Sequence, residues 1–152
     1  MPVYYPPVGF HFKVEFPGVG SRDEDNDTRF QEVSGLTAEI TTEELLVGGE
    51  NRFAYRLPTR AKYGNLILKR GMLKSSQLIS WITDAIEHFI FKPLNVSVYL
   101  LDEEHNIMST WVFMQAYPVK WVTSDFKAQD NSLVIETIEL VYQYFTRSYQ
   151  TN

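Results

Sequence analysis

Three histidines, His11, His88 and His105, are the first residues of this 152-residue chain to test for chemistry. They stand on unlike elements. His11 lies in an alternating strand pattern, His88 near the end of a helical pattern and His105 in a polar turn. No zincin HExxH, no nucleophile-elbow GxSxG and no phosphate loop occurs. Gly48-Gly49 lacks the lysine and following helix that a phosphate cradle requires. Glu87 beside His88 is the nearest approach to an acid–base pair, but adjacent helix positions point apart. His88 is expected instead to interact with the helix C-terminus. Asp102, Glu103 and Glu104 form a solvated turn. Asp23, Asp25 and Asp27 resemble the start of a calcium loop. However, Thr28 stands where that loop needs glycine, and Ser34 where it needs a bidentate glutamate. Cysteine is absent, which removes disulfides, thiol catalysis and thiolate metal sites. The expectation is no catalytic residue, no cofactor, no metal and no enzyme activity.

Charge narrows the partners. The net charge is −5, whereas duplex-binding domains are usually basic. The segment 52–74 interleaves Phe53, Tyr55 and Tyr63 with seven of the fourteen bases and carries no acid. Such a mixture can bind single strands. Here the strand pattern already uses those aromatics, so stable nucleic-acid binding is not expected. Residues 15–50 hold ten of the nineteen acids and only Arg22 and Arg29 as bases. The two blocks either pair across adjacent strands of one molecule or meet on neighbouring copies.

No apolar run reaches the ~20 residues of a membrane-spanning helix, and no secretory leader is visible. Membrane insertion is not expected, and synthesis and assembly in the cytoplasm are. A single domain over residues 1–152 is expected, because a chain this size buries roughly 68–70% of its unfolded surface. Aromatic and β-branched residues favour sheet.

The elements follow from periodicity. Phe10, Phe12, Val14 and Phe16 alternate with Lys13 and Glu15 in a half-buried strand. Residues 29–47 read as a long strand interrupted at Ser34-Gly35, where glycine marks a bend. Arg52 to Leu57 returns as a second strand, which Pro58 is expected to end. Tyr63 to Gly71 forms another strand. Ser75 or Ser76 caps a helix whose stripe is Leu78, Trp81, Ile82, Ala85, Ile86 and Phe89. Burying each large member is worth roughly 1.5–3 kcal/mol, so the helix should lie flat on a sheet. Val96, Val98 and Leu100 share a strand face. Ile107, Trp111, Phe113, Tyr117, Val119 and Trp121 should share another, with Pro118 at a bulge or edge. Residues 132–145 read as one long strand, with Val134, Ile138, Leu140, Tyr142 and Tyr144 on the dry side. Thr137, Glu139 and Gln143 then take the wet side.

The stretch VGGENRFAYRLP, Val47 to Pro58, is the most informative. With GGEN as a four-residue loop, Leu46 opposes Phe53, Glu44 opposes Tyr55, Leu45 opposes Ala54 and Glu43 opposes Arg56. Both faces near the tip are then apolar, and an isolated ribbon of this kind is marginal in water. Either it folds onto its own helix or it lies on another copy.

The ordered set FQEVSGL (30–36), VGGENRFAYRLP (47–58), KYGNLILKRG (62–71), the helix with Trp81, WVFMQAYPVKW (111–121) and IETIELVYQYF (135–145) resembles the tail tube proteins of contractile phages and related injection particles. Leu57-Pro58-Thr59 departs from the Leu-Pro-Gly of many members. The resemblance implies a mainly β fold: an antiparallel β-barrel or sandwich, one flanking α-helix and a long protruding β-hairpin. Six copies would join into a ring-wide barrel around a channel, and stacked tube rings, sheath, baseplate and spike proteins would be the partners. It implies a subunit interface on the hairpin: Glu43, Glu44, Leu45, Leu46 and Val47 going out, Gly48, Gly49, Glu50 and Asn51 at the bend, and Arg52, Phe53, Tyr55 and Arg56 returning. Thr137, Glu139 and Gln143 become channel-lining candidates past which cargo moves. The opening YPPVGFHFKVEF looks like the base-proximal copy of antifeeding-prophage-like particles, part of a particle released from the cell. The competing expectation is a monomeric β-barrel binding module.

Overall fold

The computed structural model describes residues 11–18, 29–49, 52–71, 76–124 and 134–149. The strands are β1 (His11–Glu15), β2 (Arg29–Phe30), β3 (Glu32–Ser34), β4 (Ala38–Leu45), β5 (Tyr55–Tyr63) and β6 (Leu66–Gly71), followed by helix α1 (Ser76–Glu87). Then come β7 (Leu94–Leu101), β8 (Ile107–Thr123), β9 (Ile135–Val141) and β10 (Phe145–Tyr149).

The main sheet runs β2-β1-β7-β8-β9-β6-β3, with β10 also paired to β8. All of its pairs are antiparallel. Its two end strands, β2 and β3, are consecutive in the chain. Between them the Gln31 N–H donates to the Lys69 carbonyl of β6 at 2.8 Å. The sheet therefore curls until its ends meet, the expected barrel. Closure removes edges that would otherwise template aggregation.

Alternation fills the interior. Val14, Leu66, Leu68, Val96, Val98, Phe113, Ile138 and Leu140 are buried. Helix α1 packs against β8 and adds Leu78, Trp81 and Ile82 to the same core. The Trp81 ring lies 5.7 Å from that of Phe16, and its indole N–H donates to the Lys92 carbonyl at 2.8 Å. The expected stripe holds for Leu78, Trp81, Ile82 and Ala85 but not for its last two members. Ile86 is half-exposed and Phe89 is 81% exposed. Ile86 lies in the last turn of α1, and the helix has ended before Phe89. The His88 and Ile90 N–H groups both donate to the Asp84 carbonyl, and Phe89 takes a left-handed φ of 56° that turns its ring outward.

Strand β8 corrects another expectation. Ser109, Trp111 and Phe113 face inward, but beyond Gln115 the buried residues are Ala116 and Pro118. Gln115 has φ 55°, and its N–H donates to the Asn95 side-chain oxygen at 3.1 Å. This bulge inverts the face, so Val119 is exposed rather than aligned with Trp111, while Ile107 is exposed at the first position of the strand, beside a register shift at Leu100/Leu101. A second register shift lies between Pro118 and Lys120, as the proline suggested. The expected long strand 132–145 is likewise broken, because residues 142–144 sit beside the Gln115 bulge. There Met114 donates to the Tyr144 carbonyl and accepts from the Gln143 N–H, each at 2.9 Å. Tyr144 is half-exposed rather than dry.

Candidate functional site

Strands β4 and β5 form a sheet of their own. They project as an arm that nothing among the described residues covers. Residues Thr42–Gly49 and Tyr55–Lys62 are exposed throughout. Leu46 is 80% exposed and Phe53 54%, against 5% for Trp81. The side chains are those of a protein interior: Ile40, Leu45, Leu46, Tyr55 and Leu57 are all uncovered, and Phe53 stacks edge-on with Tyr55 at 5.1 Å. The arm does not fold back onto α1.

The hairpin register differs from expectation by one residue. Leu45 faces Tyr55, Glu44 faces Arg56 and Glu43 faces Leu57. The connection therefore runs from Leu46 to Ala54 and is longer than GGEN alone. Within that bend Gly49 takes φ 92°. Glu50 and Asn51 lie outside the described residues, as do the Asp23, Asp25 and Asp27 loop and the YPPVGF opening. Pro58 does not end the strand. It faces Thr42 beside a bulge at Thr41/Thr42, and a bulge on an edge strand is where a sheet accommodates proline. In place of a glycine, Thr59 donates its hydroxyl to the Thr41 carbonyl at 2.9 Å, and Thr41 donates to the Arg60 carbonyl at 3.1 Å.

The charge blocks meet on this arm. Glu44 faces Arg56 and Glu39 faces Lys62. Among the described residues neither pair closes to a salt bridge. The bridges formed elsewhere are Lys13–Glu15 at 3.5 Å and Lys69–Glu32 at 3.9 Å. The arm thus presents acid on one strand and base on the other with their charges unspent.

Its root is rigid. Gly35 sits at φ 84° against the Asn65 carbonyl, where a side chain would overlap that oxygen. Gly64 donates to the Thr37 carbonyl at 3.3 Å. Tyr63 stacks edge-on with Phe145 at 5.2 Å. The Tyr142 hydroxyl donates to the Gly64 carbonyl at 2.6 Å. Burial, with a smaller contribution from Tyr63, pushes the Tyr142 phenol up to about 12.

Of the channel candidates, Thr137 and Glu139 share the face of β9 opposite Ile138 and Leu140. Thr137 faces Lys69 on β6 and Val122 on β8, while Glu139 faces Ile67 and Lys120. Asn65 donates to the Glu139 carboxylate at 3.2 Å. This face mixes both signs of charge. Gln143 does not join it, because it lies in the break between β9 and β10.

Some residues were not singled out from sequence. Glu136 is buried, facing Arg70 across β6–β9, and the Arg70 guanidinium lies 5.6 Å from the centroid of the Phe30 ring. Its parity with Ile138 and Leu140 was the available signal. Tyr99 donates to Glu15 at 3.0 Å, and burial followed by that bond raises its phenol. Backbone N–H groups of Asn106 and Glu104 hold the Asp102 carboxyl below its ordinary range. Beside α1 a second uncovered cluster joins Ile86, Phe89, Ile90 and Phe91, with the Phe91 ring 5.3 Å from that of Tyr117.

Comparisons with known proteins agree with this architecture. A chain in the cryo-EM structure of the anti-feeding prophage baseplate is 26% identical over 98% of each chain, with a TM-score of 0.77. A chain of the PVC sheath-tube complex, from an extracellular contractile injection system, is 22% identical over 97% of this chain and 95% of that one, at 0.75. Hcp1 from Flavobacterium johnsoniae shares the fold at 17% identity over 93% and 97%, at 0.54. Comparison with curated protein sequences finds no match. The sequence model for the T4-like virus tail tube protein gp19 matches residues 8–146. The chain belongs to that tail tube family.

Proposed function

We propose that this tube protein is a structural subunit that completes its fold only in a ring of its own copies, and that the ring is hexameric and stacks with others around a channel for cargo. The uncovered arm carries this reading. Six large apolar side chains of the arm, Ile40, Leu45, Leu46, Phe53, Tyr55 and Leu57, are left exposed to solvent, and patches of this kind mark interfaces. A head-to-tail contact needs two unlike faces on each subunit, and closes into a ring if its rotation permits. The arm supplies one, from Glu43 to Arg56. The cluster at Ile86, Phe89 and Ile90 supplies a candidate for the other.

The wet face with Thr137 and Glu139 is the candidate channel wall. Its mixed charge would let cargo slide without binding. The protein's work in this reading is mechanical, with sheath, baseplate and spike proteins as further partners, and it assembles inside the cell into a particle that is then released. Greater identity to the baseplate chain than to the sheath-tube chain, 26% against 22%, favours a ring near the baseplate.

Sedimentation and negative-stain microscopy of the purified protein test the proposal. Rings are expected, and Leu46→Asp or Phe53→Asp should leave folded monomers. Should wild type remain a monomer at high concentration, alone and with its baseplate partner, a ligand-binding module becomes the better account.

A further inference from the structure

His11 and His105 are 94 positions apart in sequence, yet the His11 Nε2 and His105 Nδ1 atoms lie 2.8 Å apart. The rings meet edge-on, with centroids 4.7 Å apart and planes at 74°. We propose that the two imidazoles form a binding site for a divalent late first-row transition ion: zinc, nickel or copper. An octahedral or square-planar ion such as nickel or copper, bonded at about 2.0–2.1 Å to each of two imidazole nitrogens with an angle near 90°, holds those nitrogens about 2.9 Å apart, whereas tetrahedral zinc holds them about 3.3 Å apart. The observed separation matches the nickel and copper geometry, and each ring must turn so that its lone pair leaves the partner nitrogen and points at the ion. Imidazole is also the side chain best suited to these three ions.

The backbone fixes both partners beforehand. His11 faces Leu101 in the β1–β7 ladder, one residue before the turn that carries His105. In that turn the Asp102 carboxylate accepts from the Glu104 N–H at 2.9 Å and the Asn106 N–H at 2.8 Å. The His105 N–H donates to the Asp102 carbonyl at 3.1 Å, and His105 takes φ 64°. Both rings are accessible to solvent. Among the described residues no group of three or more histidines, cysteines or carboxylates gathers for a metal. The site therefore has two protein ligands, and its remaining positions go to water or to a donor from another chain. It does not depend on ring assembly.

The test is calorimetric titration of the full chain, without a histidine tag, with zinc chloride, nickel chloride and copper sulfate in turn. At least one ion is expected to bind at one per chain. Either His11→Gln or His105→Gln should weaken that binding by about tenfold or more, and His88→Gln should leave it unchanged. The same ion should raise the melting temperature of wild type and of His88→Gln, but not of the other two. Absence of saturable binding for all three salts overturns the proposal. Binding that survives both His11→Gln and His105→Gln, or that falls equally with His88→Gln, overturns it as well.

Discussion

The Tyr142 phenol donates a 2.6 Å hydrogen bond to the Gly64 carbonyl, and so ties the break between β9 and β10 to the root of the arm. Tyr142 also stacks on Phe113 at 4.8 Å and lies 6.0 Å from Tyr63. Barrel and arm are thereby held at one angle. In a ring, that angle determines where each arm reaches.

Tyr142→Phe keeps the rings and removes the bond. It should cost about 1 kcal/mol in denaturant unfolding. It should also change the alkaline behaviour. The folded phenol titrates at about 12 against an ordinary 10.0. The unfolded chain therefore loses its proton first as pH rises, and stability present below pH 10 is lost through pH 12. Wild type should lose stability more steeply than Tyr142→Phe across that window. Parallel curves would show that the phenol is not protected.

Gly35 and Gly18 separate strain from space. Both have left-handed φ, 84° and 82°, but a side chain at Gly18 meets nothing within 4 Å, while one at Gly35 strikes the Asn65 carbonyl. Gly18→Ala should cost roughly 1–2 kcal/mol through conformation alone. Gly35→Ala should cost clearly more, because the root must open. Equal costs measured by urea unfolding would remove the close approach as a cause.

Those two glycines show what sequence reveals. Gly35 was legible because a glycine inside an apolar alternation demands a bend. The core was legible for the same reason: Val96, Val98, Ile138 and Leu140 follow a period of two. Gln115 was not legible, since no rule requires a left-handed glutamine in mid-strand, and it inverts β8 as far as Pro118, after which the second register shift returns Trp121 to the core side. The arm's apolar surplus was visible at Leu46 and Phe53. Its register was not, because the turn residues Gly48 and Gly49 do not show that the connection extends back to Leu46 and on to Ala54. His11 and His105 meet only through β1–β7 pairing, which no local pattern encodes.

Leu46 and Trp81 should respond in opposite ways to truncation. Trp81→Ala removes a buried ring and its bond to Lys92, and should cost about 3–5 kcal/mol. Leu46→Ala touches no core and should shift monomer stability by no more than about 0.5 kcal/mol. Ring yield should reverse the order among folded molecules, with Leu46→Ala assembling poorly. A large loss of monomer stability in Leu46→Ala would place the arm in its own domain's core.

Thr137→Cys tests the channel wall directly. The chain has no cysteine, so the new thiol is unique. Thr137 is half-buried on β9, facing Lys69 and Val122, and a cysteine there keeps a similar volume. Ser80→Cys, on the exposed side of α1, is the control. In the dissociated protein a small maleimide and a polymer-linked one should both label each variant. In assembled tubes the small reagent should still reach position 137 through the lumen, and the polymer should not. Position 80 should accept both. Polymer labelling at 137 as fast in tubes as in subunits would put that face outside. Failure of the small reagent there would put it in a packed interface between copies. Either result moves the channel to another face of the barrel.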